Sequence, residues 1–368
     1  MLRLETRPAP SSAFVVASPL IALAATVLIG VLLFVLLGKD PVLGLRMFFF
    51  EPIKSAYAWS EIGIKATPLI LIALGLALCF RANVWNIGAE GQYILGAIFA
   101  GGVAMQATPD SPRAIVVVIL LAGIVGGMLW AAITALLRDL FNANEILVSL
   151  MLVYVAEMVL SYLVYGPWKD PQGYNFPQTV TFAAPTKVPR LIDGLRVNIG
   201  LVVALVGVAG MWIFLFRLFR GTQALVGGLA PAAARYAGFS ARVSLWTALL
   251  TSGALAGLAG AIEATGPLGQ LTPYVPVGYG FAAIIVAFVG RLHPVGIVLS
   301  AVPMSMFTRQ TRAVVMRASF PGVGEVWTRG CTGSTDRSLR NLRKYDLSYD
   351  LFFERVSPGC DPGATMRG

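Results

Sequence analysis

The chain has 368 residues, of which 57% are hydrophobic and 12% charged, against about 45–50% and 25% in ordinary soluble domains. With a mean hydropathy of +0.76, that composition excludes an ordinary soluble domain and points to an all-α, polytopic membrane helix bundle. The net charge of +10 is spread between apolar runs and forms no basic face with interleaved aromatics, so membrane lipid is the expected partner and nucleic acid is not.

In chain order the apolar segments fall at roughly 13–37, 62–80, 92–107, 114–137, 146–165, 197–216, 243–263 and 280–290, with a further one from Pro294. That makes about 8–9 segments, some of them short enough to be discontinuous or re-entrant. The first is far longer than the 7–15 apolar residues of a cleaved signal and is expected to stay as an anchor.

The most informative stretch is Arg81-Ala-Asn-Val-Trp-Asn-Ile-Gly-Ala-Glu90 with Gly91-Gln92. The uncharged run before it, Ala66–Phe80, and the run after it, Tyr93–Gln106, are each shorter than the roughly 20 residues that span a bilayer core. Two short apolar segments around a polar, Gly-bearing break predict a discontinuous membrane helix, where free backbone groups border a substrate path. Asn83, Trp85, Asn86, Glu90 and Gln92 are the candidate path residues. Each has a plainer reading. Asn83 and Asn86 can cap helix ends, Trp85 can be an interfacial anchor, and Glu90 can pair with Arg81 or cap a helix N-terminus. Further on, Glu157 is a lone carboxylate in mid-segment and is expected to face the bundle interior.

The connection 217–242 carries Arg217, Arg220, Arg235 and Arg242 and no acid, which reads as cytoplasmic and fits an inside N-terminus, although arginines and lysines over all loops divide evenly. Within it, Pro231 suits the first turn of a short helix and Gly238 its end. Gly253, Gly257 and Gly260 read as helix-packing contacts, and Glu263, at the end of that segment, as interfacial.

Ala-Ala-Arg-Tyr-Ala-Gly (233–238), followed by Ser252-Gly-Ala-Leu-Ala-Gly-Leu-Ala-Gly-Ala261, resembles ABC importer permeases of the sugar and nucleoside branch. Phe80–Gln92 looks like that family's signature break. Asn144-Glu145 with Ser149-Leu-Met-Leu152 is similar to its next helix start, and Gly166–Pro171 with Pro177-Gln-Thr179 to its external loop. The pattern departs at Val153, where the family usually has Asn, and at Ala224–Gly228, where an Arg normally precedes the loop helix. The likeness is greatest to the longer permease of purine-nucleoside importers that work with a basic-membrane-protein-like lipoprotein. It implies a multi-pass permease of the bacterial inner membrane, with ATPase subunits, a second shorter permease and an extracytoplasmic solute-binding lipoprotein as partners. It also implies that Pro231, Ala233, Ala234, Arg235, Tyr236 and Gly238 form a helix docking into the ATPase. A nucleoside's hydroxyls and ring nitrogens would suit the amides and the indole of the break.

No catalytic site, cofactor or metal is expected. Cys79, Cys331 and Cys360 lack CxxC spacing and His293 is the sole histidine; Cys79 reads as a small packing residue. The nearest approach to a P-loop, Gly38-Lys39, lacks both the upstream Gly and the following Ser or Thr. The alternative to an importer subunit is a stand-alone secondary transporter or channel, with Glu90, Glu157 or Glu263 coupling ions.

Residues 1–306 form the expected transmembrane permease domain. Residues 307–368 form a polar tail with 16 charges, against 30 in the first 306. That shift, together with the further membrane helices that the resemblance implies, is read as a changed reading frame or miscalled end, the alternative being a genuine cytoplasmic or disordered tail. On this reading the face at Gly253, Gly257 and Gly260 would lack helical neighbours.

Overall fold

The computed structural model describes residues 12–36, 53–173, 176–192 and 194–319, with isolated positions between 38 and 50. They divide into two units, Met1–Glu51 with Gln310–Gly368, and Pro52–Arg309. In the first, α1 (Ser12–Leu36) is an uncharged 25-residue helix whose Leu28 and Leu36 are exposed.

The second unit holds the fold. Ser55 caps α2 (Ala56–Arg81), its Oγ accepting from the Ala58 N–H at 3.1 Å. Then come α3 (Ala89–Gln106), α4 (Ile115–Phe141) and α5 (Glu145–Tyr165), the last capped by the Asn144 side chain. After a long connection follow α6 (Gly200–Arg217), α7 (Phe219–Leu229), the six-residue α8 (Pro231–Tyr236) and α9 (Ala241–Glu263). A π turn, Ala264–Leu268, prolongs α9, and α10 (Tyr279–Val289) and α11 (Pro294–Ser319) complete the order, the part of α11 from Gln310 on belonging to the first unit. Among the described residues the only extended pairing is an isolated bridge between Arg190 and Asn198.

Among the described residues five segments are long and apolar enough to cross a membrane: Ala56–Arg81, Ile115–Phe141, Glu145–Tyr165, Gly200–Arg217 and Ala241–Leu268. Val27–Leu36 within α1, the helix α10 (Tyr279–Val289) and Pro294–Phe307 within α11 are shorter apolar stretches.

The expectation of a short segment before the break is corrected. The helix there is continuous for 26 residues because its charges have partners elsewhere in the chain. Glu61 pairs with Arg196 at 2.9 Å, and Lys65 Nζ donates to Tyr279 Oη at 3.1 Å. Neither charge therefore forces the backbone open.

The core lies where α9 crosses α4, α3 and α2. Lipid tails are as apolar as leucine, so such crossings depend on close packing and not on a hydrophobic drive. A Cβ on Gly257 would strike the Gly123 carbonyl and Gly127, one on Gly253 the Gly127 carbonyl and Ala131, and one on Gly260 the Tyr93 carbonyl. The glycine face of α9 is thus filled by α3 and α4, and the expectation that it lacks helical neighbours does not hold.

The helix α11 continues through Phe307 to Ser319, across the composition boundary. The remainder of the polar tail, with Cys331 and Cys360, lies outside the described residues.

Candidate functional site

Between α2 and α3 the chain runs without regular structure from Ala82 to Gly88. Asn83 makes the turn. Its φ of 56° lies in the left-handed region that Asn tolerates better than most residues, and its side chain is exposed. Trp85 is 41% exposed and leans on Phe80 and Phe288, with ring centroids 5.4 and 6.2 Å away.

The other three candidate residues are turned inward. Asn86 and Gln92 are buried and exchange amide hydrogen bonds, Asn86 Nδ2 to Gln92 Oε1 at 3.1 Å and Gln92 Nε2 to Asn86 Oδ1 at 3.2 Å. Asn86 also donates to Ser252 Oγ at 3.0 Å and accepts from the Gly88 N–H at 3.1 Å. The pair thereby ties the start of α3 to the middle of α9, and its polar atoms are spent inside the protein.

Glu90 is 1% exposed. Its Oε1 accepts from the Gly278 N–H at 2.9 Å and its Oε2 from the Gly280 N–H, so the carboxylate caps α10. Helix N-termini carry unpaired N–H groups and partial positive charge, which a carboxylate satisfies. Arg81 goes elsewhere. Its Nε donates to the Leu292 carbonyl at 3.0 Å and its guanidinium lies 5.1 Å from the Phe216 ring centroid. Glu157 is half-buried beside the face of α5 that packs on α3, within electrostatic reach of Glu90.

The loop helix stands at the same end of the bundle as the break. Gly228, near the end of α7, lies against Arg81, Ala82 and Asn83 so closely that a Cβ there would strike their backbone. Pro231 opens α8, and Gly238, at φ 77°, follows it, its N–H donating to the Arg235 carbonyl at 3.1 Å. Of the six residues singled out, Ala234 alone is buried; Pro231, Ala233, Arg235, Tyr236 and Gly238 are exposed, Tyr236 by 97%. Of the four loop arginines, Arg242 pairs with Asp139 at 2.6 Å and Arg217 lies over Trp212.

Beside the break, a second polar group went largely unremarked in the sequence. Glu263, expected to be interfacial, is 5% exposed within the bundle, because the π turn after it and the segment 269–278 bring Tyr279 back against α2 and α3. Lys65, Tyr93 and Tyr279 lie within electrostatic or ring contact of one another or of Glu263. The available signal was Lys65 itself, a cation inside an apolar helix. No group of His, Cys, Asp and Glu suited to a metal occurs among the described residues.

The family described as "branched-chain amino acid transport system / permease component" matches residues 58–326. The chain is 33% identical to a glucose ABC transporter permease protein of Haloferax volcanii, over 81% of each chain. It is 30% identical to a guanosine ABC transporter permease protein of Bacillus subtilis, over 77% of this chain and 82% of that one. It is 28% identical to a nucleoside ABC transporter permease protein of Lactococcus lactis, over 78% and 81%. No solved structure matches it.

Proposed function

The chain belongs to the branched-chain amino acid transport system / permease component family, and from that premise we propose that it carries nucleosides or related sugar-bearing solutes across a bacterial inner membrane. It is a multi-pass permease subunit of an ABC importer, and ATP hydrolysis lies in partner subunits. The solute class rests on one observation: permeases named for glucose, guanosine and nucleosides align with about four-fifths of the chain. Glucose and guanosine both carry a sugar ring with neighbouring hydroxyls.

In this reading about eight or nine apolar segments, some of them discontinuous, form half of the pathway, and a second, shorter permease forms the other half. An extracytoplasmic lipoprotein delivers the solute. Asn83 and Trp85, the exposed members of the break, line the path, while Asn86, Gln92 and Glu90 hold the backbone that presents them. The ATPase engages α8. The seating of Gly228 on Arg81–Asn83 supports a direct mechanical link, since a push on α8 and α7 reaches the break without an intermediary. Such a link moves an element between discrete arrangements, as packed interfaces do.

The test is reconstitution of the chain with its ATPase, second permease and lipoprotein in liposomes. ATP-dependent uptake of guanosine or glucose is expected. Uptake by the chain alone, driven by an ion gradient, would instead identify a secondary transporter. Ala233→Glu, which puts a charge on the exposed face of α8, is expected to cut ATPase co-purification at least about tenfold; co-purification at normal yield removes α8 from the ATPase interface.

A further inference from the structure

Four polar side chains from four elements lie near one another inside the bundle, beside the break residues Glu90 and Gln92: Lys65 on α2, Tyr93 on α3, Glu263 at the end of α9 and Tyr279 at the start of α10. These helices pack pairwise, α9 on α2 and α3 and α10 on α2 and α3. Tyr93 and Tyr279 meet edge to face at 5.9 Å. Lys65 Nζ donates to Tyr279 Oη at 3.1 Å. Glu263 is within electrostatic reach of Lys65 and Tyr93, and also of Arg196 and Glu61, which pair with each other at 2.9 Å.

A purely structural role explains this group poorly. The Tyr93 hydroxyl is fully buried, and no hydrogen-bond partner for it occurs among the described residues; leaving such a group unpaired costs about 1–3 kcal/mol. No described residue hydrogen-bonds the Glu263 carboxylate, and Lys65 uses one of its three donors on Tyr279. A packing device would have closed these valences, as the Asn86–Gln92 pair does. What remains unspent is one phenolic donor, ammonium donors and a carboxylate acceptor.

That set suits groups that both donate and accept, and the sugar hydroxyls shared by guanosine and glucose are such groups. A hydroxyl is both donor and acceptor, so two neighbouring hydroxyls can each donate to Glu263 while accepting from Tyr93 and Lys65. A carboxylate solute would be repelled by Glu263, and a purely apolar one would leave all three groups unsatisfied. We propose that Lys65, Tyr93, Glu263 and Tyr279 form a station that binds the vicinal hydroxyls of the solute's sugar ring during passage. The proposal rests on the sugar-bearing solute class above. Because the bundle closes over these side chains, entry requires α10 to move relative to α2 and α3.

The test is uptake by the full transporter in liposomes, guanosine against 2′,3′-dideoxyguanosine, or glucose against 2,3-dideoxyglucose. Tyr93→Phe removes one oxygen and preserves the ring. It is expected to raise KM for the hydroxyl-bearing solute about 5–10-fold, to leave the dideoxy analogue unchanged, and to leave yield and ATPase co-purification at wild-type level. Glu263→Gln is expected to act in the same sense. Equal effects of Tyr93→Phe on both solutes, or no effect on either, would overturn the station while leaving the solute class intact. If the wild-type transporter takes up neither guanosine nor glucose, the solute class falls and the station with it.

Discussion

The break and the Lys65–Glu263 cluster are both polar islands in an apolar bundle, yet they dispose of their polar atoms in opposite ways. At the break, Asn86, Gln92 and Ser252 satisfy one another and Glu90 is consumed by the N-terminus of α10. In the cluster, Tyr93 Oη has no partner among the described residues. A break in a membrane helix creates backbone debts, and the polar residues beside it go first to settling them. A regular helix has no such debt, so a polar side chain on it keeps its capacity for something else.

Several substitutions break or sharpen that contrast. The largest effect is expected from Gly257→Leu, since the α3–α4–α9 crossing supports both islands and a side chain there meets the Gly123 carbonyl and Gly127 backbone. Assembled protein in the membrane should fall more than about tenfold, measured by yield in detergent; near-normal yield would mean the crossing can open. Next comes Asn86→Ala. It strands Gln92, Ser252 and the Gly88 N–H, and is expected to cost about 2–3 kcal/mol, read as a lower thermal unfolding midpoint with KM of the surviving protein unchanged.

Tyr93→Phe should do the reverse on both counts. Deleting an unpaired hydroxyl is expected to be neutral or to stabilise by up to about 1 kcal/mol, so its unfolding midpoint holds or rises while KM worsens. A matching loss of stability in both variants would erase the distinction between the islands. The smallest change in stability belongs to Trp85→Ala, about 0.5–1 kcal/mol, because the ring is 41% exposed and loses only its contacts with Phe80 and Phe288. Its uptake is nonetheless expected to drop several-fold at unchanged abundance, and full-rate uptake would take Trp85 off the path.

What was legible in the sequence was chemistry with a short reach. Pro231 opening α8 and Gly238 after it act on backbone within a few residues, so their pattern alone places the ends of that helix. The position of the break was legible for the same reason. Its meaning was less so. Whether Glu90 pairs with Arg81 nine residues away or caps a helix depends on where Gly278 and Gly280 arrive, and nothing local encodes that. Glu263 was read as interfacial because it ends an apolar run, and its burial came unannounced because the π turn through Pro267 carries the chain back against the bundle. Lys65 marked the edge of the uncharged run Ala66–Phe80, and that bookkeeping hid a cation whose partner, Tyr279, lies 214 residues further on.

The Glu90 cap also sets a timetable for biogenesis. Its first donor, the Gly278 N–H, lies 188 residues downstream, so at about 5–20 residues per second the ribosome takes about 10–40 s to supply it. Throughout that interval α3 carries a carboxylate with no helix end to cap, in a medium where an unpaired charge is costly. Until α10 arrives, Glu90 has to be kept either in contact with water or beside another polar group. In both cases the N-terminal half of this bundle cannot be finished until the C-terminal half has been made.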